Sequence, residues 1–214
     1  MIMEIVPGFH QIDTRGGKSY LSLEPEPLLI DTGMPGQAEM LIDYFEAQGL
    51  GDQELEKIVL THHDLDHIGN ARELHDRLGA TIYAHRLDAA CIAGEEPRRP
   101  WVKRISAWIM GSPTLEVNVE LEGGEMIAGW QVIHTPGHSA GSISLYKPPI
   151  LVVGDLLRTG DRCHEMPGII MEDAKQARES MRKLAELDIK VLAASHGPTI
   201  HHGQQKLQAL ISSW

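Results

Sequence analysis

Short apolar runs that stop abruptly at polar residues recur along this chain. Residues 4–13 (EIVPGFHQID), 19–24 (SYLSLE) and 27–33 (PLLIDTG) read as early strands, the last ending at Asp31-Thr32-Gly33. Residues 36–49 (GQAEMLIDYFEAQG) place Met40, Leu41, Tyr44 and Phe45 at helical spacing, with Pro35 before them and Gly49 as the stop. KIVLTH, beginning at Lys57, is a buried-strand candidate. DHIGNARELHDRLG, from Asp66 to Gly79, predicts one helix with Ile68, Ala71, Leu74 and Leu78 on a single face. TIYAH (81–85) reads as a strand and RLDAACIAG (86–94) as a short helix.

The regularity breaks at residues 95–113, EEPRRPWVKRISAWIMGSP, which read as an irregular, Pro-rich, aromatic insert. LEVNVEL (115–121) then alternates, Val117, Val119 and Leu121 against Glu116, Asn118 and Glu120, as a half-exposed strand does. WQVIHT, SISLY and ILVVG add three strands. EDAKQARESMRKLAEL (172–187) is the clearest amphipathic helix, VLAAS a last buried strand, and HGQQKLQALISSW a terminal helix. Both halves run strands first and then alternate strand with helix. That order predicts two sheets packed face to face with helices outside.

Composition narrows the picture. At 214 residues, without linker, low-complexity run or repeat, the chain is expected to form one domain over 1–214, with 95–113 as a candidate cap. A net charge of −11 argues against a nucleic-acid partner, which needs clustered Lys and Arg. The basic knot Arg98, Arg99, Lys103 and Arg104 reads as a solvated loop. No apolar run approaches the ~18 residues of a membrane span, and the start lacks a signal-peptide pattern. Cys91 and Cys163 form no framework. These features predict a cytoplasmic protein with reduced thiols and no membrane partner.

The candidate chemistry lies where strands end. LLIDTG, KIVLTHHDLDH, QVIHTPGHS, ILVVGD and VLAASHG each turn from apolar to polar at the exit. They supply His62, Asp64, Asp66, His67, His138, Asp155 and His196. A metal needs ligands converging from separate rigid elements. His62 and Asp64, two apart, point the same way on an extended exit, whereas adjacent Asp66 and His67 diverge. The count favours two ions over one. Imidazole suits zinc or iron, and carboxylates bridge and suit harder ions. Among the other histidines, His10, His75 and His85 read as surface or capping residues, and His134 as packing. His164 reads as a loop residue near the mouth, and His201 and His202 as the start of the last helix.

These five motifs, in order from Asp31 to His196, resemble those of the metallo-β-lactamase superfamily: Asp31 in LLIDTG, THHDLDH, His138 in TPGHSAGS, Asp155 in VVGD and His196 in SHG. The resemblance implies an α/β fold, a four-layer αββα sandwich of two mixed sheets with helices on the outer faces. It implies that His62, residue 64 and His138 hold one metal ion, that Asp66, His67 and His196 hold the other, and that Asp155 bridges them. Asp31 would support the ligand loop from behind, and His63 would point away. The family pattern has His where this chain has Asp64. With four neutral imidazoles, three carboxylates and a hydroxide, the set would carry −4 and cancel two divalent ions. Asp64 therefore points to a weaker Lewis acid, and it admits iron or manganese beside zinc. The alternative is that Asp64 only hydrogen-bonds a neighbouring ligand.

The resemblance implies a metal-dependent hydrolase in which water held between two ions attacks the substrate and Asp66 handles the proton. The remaining substrate classes are small carboxyl esters, lactones, thioesters and β-lactams. The glutathione-thioesterase branch is disfavoured because only about eighteen residues follow His196, too few for its extra helical domain. Trp101, Trp108, Ile109 and Met110 are candidates for an apolar roof. An iron-dependent oxidoreductase, persulfide-dioxygenase-like or diiron, is the rival reading. The expected partner is a small molecule; a homodimer is compatible with the sequence.

Overall fold

The computed structural model describes residues 1–51 and 54–214, and at 106 and 107 the backbone alone. One sheet has seven strands, side by side in chain order: β1 (Ile2–Val6), β2 (Phe9–Asp13), β3 (Lys18–Ser22), β4 (Leu28–Ile30), β5 (Lys57–Val59), β6 (Thr81–His85) and β7 (Val119–Leu121). The pairings from β1 to β4 are antiparallel and those from β4 to β7 parallel. Between these strands lie α1 (Ala38–Ala47), α2 (Leu65–Ile68), α3 (Ala71–Leu78), α4 (Arg86–Ala93) and α5 (Trp101–Met110).

The second sheet is built from β8 (Met126–Ile127), β9 (Trp130–His134), β10 (Ile143–Lys147), β11 (Ile150–Val152), β14 (Val191–Ala193) and β15 (Ile200–His201). A small ribbon, β12 (Leu157–Arg158) with β13 (His164–Glu165), stands apart. The helices α6 (Ala174–Leu184) and α7 (Gly203–Ile211) complete the chain. Strands β11 and β14 run parallel, and β9 shares their direction because both β9 and β11 are antiparallel to β10.

Strand alternation makes the layers. In β4, Leu28 and Ile30 face the other sheet while Leu29 faces α1 and α3. In β14, Val191 and Ala193 face inward and Leu192 meets α6 and α7. Continuous apolar triplets such as LLI and VLA are thus strands buried on both faces. The shared inner core packs Phe9, Tyr20 and Val59 of one sheet on Trp130, Val132 and Leu145 of the other. The result is the expected αββα sandwich. Trp130 is fully buried, its ring centroid 5.4 Å from that of Phe9. Trp130→Ala should therefore cost about 3–5 kcal/mol in urea unfolding, the usual penalty for emptying a large aromatic site.

Four elements differ from the sequence reading. The predicted helix over 66–79 is two helices, broken at Gly69-Asn70. A side chain at Gly69 would drive into the Gly33 carbonyl oxygen, to which the Gly69 amide donates at 2.9 Å. The Asn70 amide nitrogen Nδ2 donates to Thr32 O (2.6 Å) and Met34 O (2.7 Å), while its Oδ1 accepts from the Gln37 amide at 2.8 Å. The break lets the loop after β4 clamp the segment that follows β5. Second, the insert holds a regular helix, α5, with Pro100 before it and Gly111 after it. Third, the half-exposed strand shortens to Val119–Leu121, because Asn118 Oδ1 accepts from the Ile82 amide in place of a further ladder bond. Fourth, His10 is buried rather than superficial, its Nδ1 2.8 Å from the Tyr44 hydroxyl. His85 caps α4 by accepting from the Leu87 amide, and it is buried against His134 at 4.0 Å between ring centroids.

Candidate metal centre

All five motif strands, β4, β5, β9, β11 and β14, deliver their polar exits to one edge of the sandwich. Asp31 follows β4 and is buried at φ 59. Its Oδ1 accepts from the Thr61 amide (2.8 Å) and its Oδ2 from the Thr61 hydroxyl (2.7 Å). The same Oδ2 lies 2.8 Å from His67 Nδ1. That bond sets the imidazole so that Nε2 faces the cluster, the usual way a carboxylate orients a ligating histidine.

The exits gather the predicted residues. His67 Nε2 lies 3.4 Å from Asp155 Oδ1 and 3.9 Å from Asp66 Oδ1. His196 Nε2 lies 3.2 Å from Asp155 Oδ2 and 3.7 Å from Asp66 Oδ2. His62 Nε2 is 3.4 Å and His138 Nε2 2.9 Å from Asp64 Oδ2, and His138 Nε2 is 3.7 Å from Asp155 Oδ2. Three donor sets have ligand atoms within 4.8 Å of one another: His62–Asp64–His138, His62–His67–Asp155 and Asp66–His67–His196. Asp155 stands between the outer two.

The donor atoms test whether a cation fits. His62 Nε2, His67 Nε2 and Asp155 Oδ1 are buried with no hydrogen-bond partner. Orphaned lone pairs converging at such distances are costly unless a cation takes them. The Asp66–His67–His196 side with Asp155 fits a metal directly. On the other side, Lys103 Nζ lies 2.9 Å from Asp64 Oδ2 and 2.8 Å from His138 Nε2, so a charged group already serves two of the three donors there.

Local fields differ across the cluster. Burial, with His67 beside it, pushes His62 well below the ordinary histidine range, which keeps it a neutral donor. Burial opposes charge on His67 too, but Asp31, Asp155 and Asp66 outweigh it and raise its proton affinity well above the ordinary value. Burial also works to raise Asp155 and Asp64. The imidazoles around Asp155, and Lys103 with His62 at Asp64, nonetheless hold both carboxyls well below the usual range. Asp66 goes the other way: burial raises it, with Asp155 and Asp64 adding to the shift.

His63 does not point wholly away from the cluster: its Nε2 lies 3.4 Å from Asp64 Oδ1, while its other ring nitrogen meets a group that the motif did not reveal. Its Nδ1 lies 3.0 Å from Asp88 Oδ2 in α4. Asp88 also accepts from the Ser139 hydroxyl (2.7 Å) and the His63 (3.0 Å) and Gly141 (2.8 Å) amides, tying the loop of His62 to the loop of His138. Nothing in RLDAACIAG marks this aspartate except a carboxylate in an apolar helix. Burial works to raise Asp88, yet His63 and the hydrogen bonds hold it at about 2, against an ordinary 3.8. A depressed folded-state value stabilises above the unfolded value, and that stability is lost as pH falls from about 4 through about 2. About 2 kcal/mol should disappear over that interval in urea titrations, and Asp88→Asn should flatten the acid limb.

The basic knot is corrected by the structure. Arg98 and Lys103 are not solvated: they are 7% and 5% exposed and line a cavity beside Asp64 and Asp66. The run of prolines and cations hid this because burial of a charge depends on what the insert folds against. From the proposed apolar roof only Met110 lines that cavity; Trp101, Trp108 and Ile109 are exposed. His164 sits in β13 beside a different cavity that includes Trp214 and Arg178. His201 ends β15, and His202, at φ 60, precedes α7. Among the described residues, no helix is long and apolar enough to cross a membrane.

Fold and strand-end cluster together are those of a metal-dependent hydrolase superfamily. Residues 21–196 match the metallo-beta-lactamase superfamily, and the chain belongs to it. It is similar to the probable metallo-hydrolase YflN of Bacillus subtilis, at 28% identity over 91% of this chain and 85% of that protein. The hydroxyacylglutathione hydrolase of Idiomarina loihiensis is 29% identical over 70% of this chain, which spans 50% of that enzyme's length. Among solved structures, TTHA1623 in a di-iron-bound form shares 30% identity with a TM-score of 0.70, covering 91% of this chain and 94% of that one.

Proposed function

We propose that the protein hydrolyses a small carboxyl ester, lactone, thioester or β-lactam at a dinuclear metal centre. The observation that carries this is the set of buried, unpartnered donor atoms around Asp155. Asp66, His67 and His196 would hold one ion, His62, Asp64 and His138 the other, with Asp155 shared. Ions there supply a Lewis acid and a water acidic enough to attack at neutral pH. The chain's own groups do the rest. Asp66, from its place on the cavity wall, would take the proton of the attacking water and return it to the leaving group. Asp31 would keep His67 in the tautomer that leaves Nε2 free. The cavity, about 420 Å³, matches a small substrate and is walled by Met34, Leu65 and Met110 on its apolar side.

The carboxylate at Asp64 and the di-iron form of a 30% identical protein favour iron as a second candidate metal beside zinc, and with it an oxygen- or persulfide-dependent activity. One experiment separates the readings. Protein purified without chelator is assayed for metal content, then against a panel of aryl esters, lactones, thioesters and β-lactams, in parallel with oxygen uptake on persulfide. Hydrolysis that disappears on chelation and returns with metal is expected. Oxygen uptake without hydrolysis would replace the hydrolase reading with the redox one.

A further inference from the structure

The cavity beside the cluster is lined by charges of both signs: Asp64 and Asp66, and Arg15, Arg98 and Lys103. Arg15 is held in place, its Nη2 donating to Pro35 O at 2.6 Å. Arg98 is different: it is 93% buried by its 7% exposure, yet no hydrogen bond or ion pair to it occurs among the described residues. Burial pulls its guanidinium below the ordinary value and the field of Asp64 only partly offsets this. A guanidinium presents five donors in a planar fork, and those of Arg98 open onto the cavity, where a ligand's oxyanion can take them. We propose that the substrate carries an anionic group, a carboxylate or phosphate, that pairs with Arg98 while the scissile bond lies at Asp66. This rests on the hydrolase reading only for what happens to the ligand after it binds.

The test compares two substrates of equal length on metal-loaded enzyme: an aryl pentanoate and the mono-aryl ester of glutarate, in which a carboxylate replaces the terminal methyl. The wild type should favour the glutarate by about tenfold or more in kcat/KM, chiefly through KM, as a charge-assisted bidentate pair does. Arg98→Met should collapse that ratio to near one, and Arg98→Lys should keep part of it. A ratio unaltered by Arg98→Met, or a wild-type preference for the neutral ester, overturns the proposal. A phosphate-terminated analogue shows which oxyanion is preferred. If neither ester is turned over, calorimetric binding of monomethyl glutarate decides. Loss of binding in Arg98→Met upholds the anion site while the hydrolase reading falls; equal binding sinks the site.

A separate observation concerns Lys103. Its ammonium lies 2.9 Å from Asp64 Oδ2, 2.8 Å from His138 Nε2 and 3.1 Å from His138 O. A metal ion on the His62–Asp64–His138 set needs the same carboxylate oxygen and the same imidazole lone pair. One lone pair cannot accept from an N–H and bind a metal together. Asp64 replaces a neutral His of the family pattern, and Lys103 restores the charge that this change removed. We infer that Lys103 is a built-in cation competing for those donors, so that the two sites fill in order: Asp66–His67–His196–Asp155 first, and the Asp64 site only as Lys103 is displaced.

Calorimetric titration of chelator-stripped protein with zinc and with iron(II) reads this without any activity. The wild type should show one tight site and a second at least about tenfold weaker, or unfilled. Lys103→Met should tighten the second site by about tenfold or more, a change of roughly 1.4 kcal/mol, and leave the first nearly unchanged. Lys103→Gln, which keeps a donor but no charge, serves if the methionine variant does not fold. Lys103→Arg should keep the wild-type order. Two equal sites in the wild type, or a second affinity indifferent to loss of the Lys103 charge, overturn the inference.

Discussion

Asp155→Ala should reduce metal affinity by more than about a hundredfold and abolish metal-dependent hydrolysis. The reason is position. Asp155 Oδ1 lies 3.4 Å from His67 Nε2, and Oδ2 lies 3.2 Å from His196 Nε2 and 3.7 Å from His138 Nε2. Among the described residues, no other carboxylate reaches histidines of both outer donor sets. Residues that merely orient ligands are worth about 10–100-fold in affinity, and a shared donor is worth more. Elemental analysis after dialysis measures the loss directly. Thermal melts with and without added zinc provide the second readout, since an ion that binds only the native state raises the melting temperature. The wild type should gain stability with metal and Asp155→Ala should gain almost none. Equal metal content in the two proteins would place the ions elsewhere.

Asp31→Asn should weaken metal binding by about 10–100-fold although Asp31 touches no ion in the proposed site. Asparagine is the informative choice because Asp31 sits at φ 59, a conformation that Asn tolerates and most residues do not. The backbone therefore survives and only the carboxylate is lost. The amide can still accept from Thr61, which donates to Asp31 through both its amide and its hydroxyl. It cannot offer the negative charge that holds His67 Nδ1. Stability should also fall, by about 1–3 kcal/mol, because buried donors lose a charged acceptor. A calorimetric metal titration beside a urea unfolding curve separates the two effects. If only stability changes, Asp31 is a structural tie and not a positioning residue.

The layers of the sandwich were legible because burial on both faces of a strand writes itself as an uninterrupted apolar triplet. LLI, ILV and VLA carry that signature. The helices α1, α4 and α6 followed from spacing, and Asp173 caps α6 through the Lys175 and Gln176 amides. The broken helix at Gly69 was not legible. Its apolar face continues across the break, and only the Gly33 carbonyl, distant in sequence, excludes a side chain there.

By itself the sequence determined which residues reach the active edge. Polar groups at the exits of apolar strands have nowhere else to go when the strands align; four such exits specified His62, Asp64, Asp66, His67, His138, Asp155 and His196, and a fifth specified Asp31. Tertiary structure alone decided what those residues meet. Asp88 lies in a helix far from the motif and joins it only because α4 packs under His63 and Ser139. Lys103 and Arg98 look like solvated cations along the chain, and the fold of the insert buries both beside Asp64. Periodicity records which face of an element is dry. A long-range charge pairing leaves no period, because it is set by which loops the two sheets bring together.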